Sequence, residues 1–549
     1  MTDQRPKVVI VGAGVGGITT AAYLSKQGYR VEVYEKNDFI GGRCSLIHNK
    51  GFRFDQGPSL LLMPKVFKRC FKDLDEDFEE LVDLVKCDPN YVIYFGSNGS
   101  EPNKKLIMST DLTILKSELE AIEPGSFYNF LGLLKESHIH YETSIIKVLD
   151  MNFINWYDFF NIKNLSLIFT CHIFDFLYRR VSLYFKSDLL RQAFTFQSMY
   201  MGMSPYDAPA TYSLLQYTEF AEGIWYPIGG FQSIFEKIKN IAETKYHAKF
   251  HYGKGVKKII CDPNTLKATG IELDDGSVIE ADIVISNVDL VHTYSKLLPH
   301  DDSYRKRVEK LEQTSSAICF YWGMKTKLPT LNGHNIFLSG DYKESFEKIF
   351  KEFDLPVQPS FYVHVPSHVD PSAAPEGKDC LMVLCPVGHL NDDKVTELEW
   401  QDRIQRAKLA IINVISKRLN IPNFESLIES EVINTPQSWK EKFNLWNGSA
   451  LGLNHNIFQV CWFRPSNQHR LYKNVYFVGA STHPGNFMFR LIIGTGVPII
   501  LCGARNVSKL ITENWNHLNT EKTTESRMLF IIIPILVMLI SFGYILFNL

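Results

Sequence analysis

Four glycines close together near the start of the chain, Gly12, Gly14, Gly16 and Gly17, form the first group whose types and spacing can do chemistry. Gly12 permits a tight turn, Gly14 lets a phosphate come close to the backbone, and Gly17 lets a helix pack tightly on a strand. A carboxylate follows at Glu35, 21 residues after Gly14 and suited to accepting hydrogen bonds from ribose hydroxyls. Then come Gly41, Gly42 and Arg43, a second glycine turn whose cation can neutralise a pyrophosphate.

These groups need particular elements to hold them. The apolar run Val8–Val11 reads as a buried parallel strand leading into the glycines. A helix-compatible stretch continues to Gln27, with Gly28 where a helix-ending glycine belongs, and Val31–Glu35 reads as the next strand. Strand, glycine turn, helix and distal acid in that order predict a dinucleotide site, with unpaired N–H groups at the helix start facing the phosphates. The first turn alone leaves NAD and FAD open. The Gly41-Gly42-Arg43 turn favours FAD.

Composition excludes several other classes. The chain has 549 residues, 45% hydrophobic and 21% charged, which predicts two or three packed domains and no wholesale disorder. A net charge of -2 offers no basic field for a nucleic-acid backbone. The ten cysteines contain no C-x-x-C pair and no H-E-x-x-H run occurs, so no metal site is expected. His138 and His140 read as structural, and no Ser-His-Asp or Cys-His pattern points to a nucleophile, so the catalytic residues stay unassigned. Thirty-eight Phe and 25 Tyr supply ample flat apolar surface, suited to a large apolar ligand or a large core. Near the C-terminus, Met528–Phe547 carries no charge over about twenty residues, enough for a membrane-spanning helix after a polar linker at 512–527. That segment predicts a single-pass tail anchor with the rest of the chain cytosolic, at the endoplasmic reticulum.

Further motifs are Gly51–Ser59 (GFRFDQGPS), Trp225–Gly230 (WYPIGG), His364–Ser367, Ala374–Gly377, Phe463–Pro465 and Tyr476–Gly485. With the glycine turns, they make the chain from Lys7 to about Leu510 resemble the bacterial and fungal phytoene desaturases of the flavin amine oxidase superfamily. The resemblance implies an α/β fold: a Rossmann-like FAD-binding domain of the glutathione-reductase/amine-oxidase type with an inserted α+β substrate domain, to which the C-terminal transmembrane helix is added. The expected boundaries are 1–65, 228–300 and 465–511 for the FAD-binding domain. The substrate domain takes 66–227 and 301–464.

The resemblance also assigns roles. Gly12, Gly14, Gly16 and Gly17 would bind the pyrophosphate, Glu35 and Lys36 the adenosine side, and Gly41, Gly42 and Arg43 would cover the phosphates. Gly57, Pro58 and Ser59 would lie by the flavin and Val256 by the adenine. Gly479, Thr495, Gly496 and Val497 would complete the site, with the helix that follows aimed at the flavin pyrimidine. Nine residues, Asn486–Gly494, interrupt the family's usual Pro-Gly to Thr-Gly-Val-Pro junction, which bears on whether that helix keeps its place.

The implied reaction is desaturation of phytoene or a related carotenoid by hydride transfer to FAD. Oxygen or a quinone would be the electron acceptor, and the lipid bilayer a further partner. Alternatives are a retinol-saturase-like or amine-oxidising flavoenzyme, and a non-catalytic prenyl carrier on the same scaffold.

Overall fold

The computed structural model describes residues 5–96, 104–149, 171–172, 174–299, 302–390, 395–456, 458–459, 464–482 and 496–520. The chain divides into two compact units, Met1–Ser508 and Lys509–Leu549.

At the heart of the first unit lies a parallel sheet of five strands. Their order is Val475–Phe477, Ile283–Ser286, Lys7–Val11, Arg30–Tyr34 and Lys249–His251. Lys7–Val11 takes the middle because it is apolar on both faces, and Val8, Val9 and Ile10 are wholly buried. Helix Val15–Lys26 crosses from it to Arg30–Tyr34 and packs on helix Phe231–Thr244. Gly28 ends that crossover with φ +91°, the left-handed geometry its position predicts. Three antiparallel strands, Val256–Asp262, Lys267–Leu273 and Val278–Glu280, form a separate small sheet. In sequence, Thr269–Ile285 reads as a hairpin turning at Asp275-Gly276; the turn forms there, but the hairpin ends at Glu280, because Ile283–Ser286 joins the parallel sheet.

A larger sheet of seven strands carries the rest. Its order is Ile428–Asn434, Ser316–Met324, Cys380–Val387, Phe361–His364, His334–Leu338, Tyr91–Phe95 and Lys105–Met108. Ser316–Met324 is buried throughout, and its side chains alternate between two cores. Ile318, Phe320 and Trp322 face helix Glu397–Leu419, which answers with Trp400, Ile404, Ala407, Ile411 and Ile415 at helical spacing. A capping box of Thr396 and Glu399 starts this helix, and Asn420 in the left-handed region ends it. Ala317, Cys319 and Tyr321 point the other way, towards Phe52 and Phe54.

Asp370 joins two elements that border the site. Its Oδ2 accepts from Arg53 Nη2 at 2.6 Å and from the Gly229 amide at 2.8 Å, and its Oδ1 accepts from Ser372. Burial works to raise the Asp370 pKa, but the Arg53 guanidinium and these donors outweigh it and hold the group at about 2. A carboxyl depressed on folding stabilises above its unfolded value, roughly 3.9, and loses that contribution as pH falls through its folded value. Asp370→Asn is expected to cost about 3 kcal/mol at pH 7, since it leaves Arg53 uncompensated. Denaturant midpoints should show the gap to the wild type narrowing between pH 5 and pH 3; a constant gap would refute the assignment.

The expected membrane helix requires correction. Among the described residues no helix is long and apolar enough to cross a membrane. The last described helix, Val497–Thr520, has the length, but Arg505, Asn506, Ser508 and Lys509 make it polar. The run 528–547 lies outside the described residues, as do 521–527 of the expected linker, whose earlier part is helical as far as Thr520. The fold class therefore stands as α/β without the transmembrane helix, and the single-pass anchor with its endoplasmic-reticulum location is withdrawn.

Candidate functional site

Four parallel strands deliver the site at their carboxyl ends, the place where open α/β sheets bind ligands. Lys7–Val11 leads into Gly12, Arg30–Tyr34 into Glu35, Ile283–Ser286 into Asn287 and Asp289, and Val475–Phe477 into Val478 and Gly479. They open on a cavity of about 940 Å³.

The two glycine turns touch. The Gly41 amide donates to the Ala13 carbonyl at 2.8 Å, and a Cβ on Gly42 would stand 3.4 Å from the Gly14 Cα. A Cβ on Gly14 would meet Asn287 Oδ1 at 2.7 Å, so a side chain there would displace Asn287. Gly16 lines the cavity with them. Gly17 does not. It lies behind the turn, where a Cβ would stand 2.1 Å from the Gly12 carbonyl oxygen, so it sets how closely the helix approaches the strand.

Glu35 is buried, and its carboxylate braces the first turn by accepting from the Ala13 amide at 2.8 Å. The other oxygen accepts from the Asn37 backbone N–H at 2.9 Å and from Asn37 Nδ2 at 2.8 Å, so the oxygen that braces Ala13 is the one that keeps a lone pair for a ribose hydroxyl. Lys36 lines the cavity, but its ammonium donates to Asn444 Oδ1 at 2.9 Å. Val256 lines the same end. The Arg43 guanidinium donates to the Ala450 carbonyl, and burial holds its pKa below the usual value. Asp289 lies in its field, with burial pushing that carboxyl up to about 6. Gly57 packs on the Arg43 carbonyl, and Pro58 and Ser59 continue the wall. Gly479, with φ +144°, and Gly496 and Val497 at the start of helix Val497–Thr520 close the far side. Thr495 and the segment Asn486–Gly494 lie outside the described residues.

Beyond the cradle the wall turns apolar. Ile336, Tyr362, Leu384 and Cys319 stand in register across four adjacent strands of the large sheet and line the cavity as a row. Leu384 is the half-exposed residue of an otherwise buried strand, Cys380–Val387, and Tyr362 holds the same distinction in Phe361–His364. Their exposure is to the cavity. Phe196, Leu214 and Leu215 contribute to the wall from helical segments.

Cradle and floor together fit FAD: two turns without side chains for the pyrophosphate, a carboxylate for the ribose, a buried cation, and room for a flat ring system. The start of helix Val497–Thr520 borders the same cavity and turns its positive dipole end towards it.

A flavin-containing amine oxidoreductase family model matches residues 15–488. The chain belongs to that family. In this flavin-containing amine oxidoreductase the cofactor is FAD. A phytoene desaturase of Phycomyces blakesleeanus is 48% identical over 511 residues, covering 92% of this chain and 85% of that protein. A zeta-carotene-forming phytoene desaturase of Myxococcus xanthus is 40% identical, covering 94% of this chain and 95% of that one. Among solved structures, a putrescine oxidase variant superposes with a TM-score of 0.61 at 12% identity, covering 93% and 99% of the two chains. That last likeness concerns the fold alone.

Sequence reasoning missed Asn287, Asp289 and the floor row. Asn287 and Asp289 had a usable signal: Ile283-Val284-Ile285 followed by polar residues is the carboxyl end of a parallel strand. The floor row had none, because it depends on strand register. Away from the cavity, Glu136, His140 and His172 bring possible ligand atoms within 4.8 Å. The Glu136 carboxylate is already held by Nε and Nη2 of Arg180, at 2.8 and 2.6 Å, and by Tyr184. The Arg180 guanidinium thus already pairs with this carboxylate.

Proposed function

We infer that this chain is an FAD-dependent desaturase that introduces double bonds into phytoene or a related long isoprenoid hydrocarbon in carotenoid biosynthesis. One observation carries the reading: a single cavity joins the dinucleotide cradle to an apolar floor on the large sheet. Identity of 48% and 40% to phytoene desaturases supports it over an amine-oxidising enzyme or a prenyl carrier.

Desaturation removes a hydride from one carbon and a proton from its neighbour, and bound FAD supplies the hydride acceptor. The chain supplies the rest. Gly12, Gly14, Gly16, Gly41 and Gly42 hold the pyrophosphate, with Gly17 fixing the helix behind them. Glu35 holds the ribose, and Arg43 offsets the phosphate charge. The floor row lays an allylic segment against the ring and excludes water. The lipid bilayer is the reservoir from which the substrate comes, since each CH₂ carried through water costs about 0.8 kcal/mol. Oxygen or a quinone takes the electrons.

The test uses detergent-purified protein, phytoene in liposomes and the visible spectrum. A long polyene absorption beside a flavin spectrum is expected. Flavin without colour change would point to another substrate, and protein that takes up no flavin would favour the carrier.

A further inference from the structure

The apolar floor carries one polar group whose bonds lead away from the cavity. The Tyr362 hydroxyl lies 2.7 Å from Ser59 Oγ and 2.7 Å from His334 Nδ1, and His334 Nε2 lies 3.3 Å from Cys87 Sγ. Ser59 and Tyr362 line the cavity, whereas His334 and Cys87 are buried behind it. The three groups that meet at the hydroxyl come from different parts of the chain: the Gly57–Ser59 turn, strand His334–Leu338 and strand Phe361–His364.

We propose that Tyr362 accepts the proton lost in desaturation, passing its own proton to His334 while Ser59 holds the phenol in place. The proposal rests on the desaturase reading above. With His334 Nε2–H donating to the Cys87 sulfur, Nδ1 is left to accept the Tyr362 O–H. Ser59 donates to the phenolic oxygen, which keeps a lone pair for the cavity. As hydride leaves one substrate carbon for the flavin, the C–H bond on the next carbon becomes strongly acidic. Its electron pair forms the new π bond, its proton bonds to the Tyr362 oxygen, and the Tyr362 proton moves to His334 Nδ1. Burial disfavours a charged His334, and the neighbouring His364 ring, stacked at 4.6 Å, adds to this. A weak base suffices for so acidic a proton, and it gives the proton back when the electron acceptor is reduced. Ser59 and His334 act through Tyr362 and are positioning residues.

The experiment compares wild type, Tyr362→Phe and Ser59→Ala, each loaded with FAD, on phytoene carrying deuterium at either the hydride-donor or the proton-donor carbon. Tyr362→Phe is expected to keep wild-type flavin content and FAD affinity by fluorescence quenching, with kcat lower by about 10²–10³-fold. Ser59→Ala should lose about tenfold. In both variants the isotope effect should rise only for deuterium at the proton-donor carbon, because that step has become slower. A merely structural role would leave the isotope effects as they were. Tyr362→Phe turning over within threefold of wild type overturns the proposal, as does loss of flavin, which would assign the hydroxyl to holding the cofactor. If Tyr362→Phe fails to fold, an unchanged isotope effect in Ser59→Ala overturns it. A wild-type protein that binds flavin and forms no polyene overturns the desaturase reading and the relay together.

Discussion

Gly17→Ala should yield colourless protein, with FAD affinity at least about 10²-fold weaker than wild type. The new Cβ would lie 2.1 Å from the Gly12 carbonyl oxygen and 3.2 Å from Asn287 Oδ1. The first of these neighbours is backbone of the turn that leaves the central strand, so it cannot rotate away as a side chain could. The helix must therefore lift from the strand, at an overpacking cost of about 1–3 kcal/mol. Lifting also moves the helix start and the turn from Gly12 to Gly14, so donors that should converge on the phosphates no longer do so. Two positioned charge-assisted hydrogen bonds lost at about 1.4 kcal/mol per decade account for the affinity drop. Gly28→Ala separates this effect from backbone strain. Gly28 has φ +91° but nothing within 4 Å of a Cβ, so that variant should lose about 1 kcal/mol of stability and keep its flavin. Visible absorbance per mole of protein and a fluorescence titration read both variants. Wild-type flavin content in Gly17→Ala would mean the helix can shift without harm to the cradle.

The second large effect concerns the floor. Leu384→Glu should retain FAD and lose phytoene turnover by at least about 10²-fold. Leu384 stands between Tyr362 and Cys319 in the cross-strand row and owes its partial exposure to the cavity. A carboxylate there faces hydrocarbon walls, and covering it with an apolar substrate costs several kcal/mol in lost hydration. Leu384→Met keeps volume and polarity and should change turnover only a few-fold. Turnover and bound flavin measured on the same samples separate substrate exclusion from cofactor loss. Wild-type turnover in Leu384→Glu would move the hydrocarbon to another wall.

The first glycine turn between strand and helix was readable because its demands are local. A tight turn, a close backbone approach and a helix start all fall between Gly12 and Gly17, and each restricts the residue that can stand there. The Gly28 helix end and the Asp275-Gly276 hairpin were readable for the same reason. Hydrophobic length misled at the other end: the run at 528–547 has the composition of a membrane helix, yet no described helix can serve as one. An apolar run states what a segment would tolerate, without stating where the chain puts it.

By itself, then, the sequence determined the strand, glycine turn and helix that border the cavity, and the family to which the chain belongs. Only the tertiary structure decided that Gly17 supports the site from behind, that Asn287 and Asp289 complete it, and that Ile336, Tyr362, Leu384 and Cys319 form one row. It also placed Ser59 against Tyr362, 303 positions apart. The reason is that strand register and sheet order bring distant residues together through many weak contacts shared across the core, and no single stretch of chain encodes that sum.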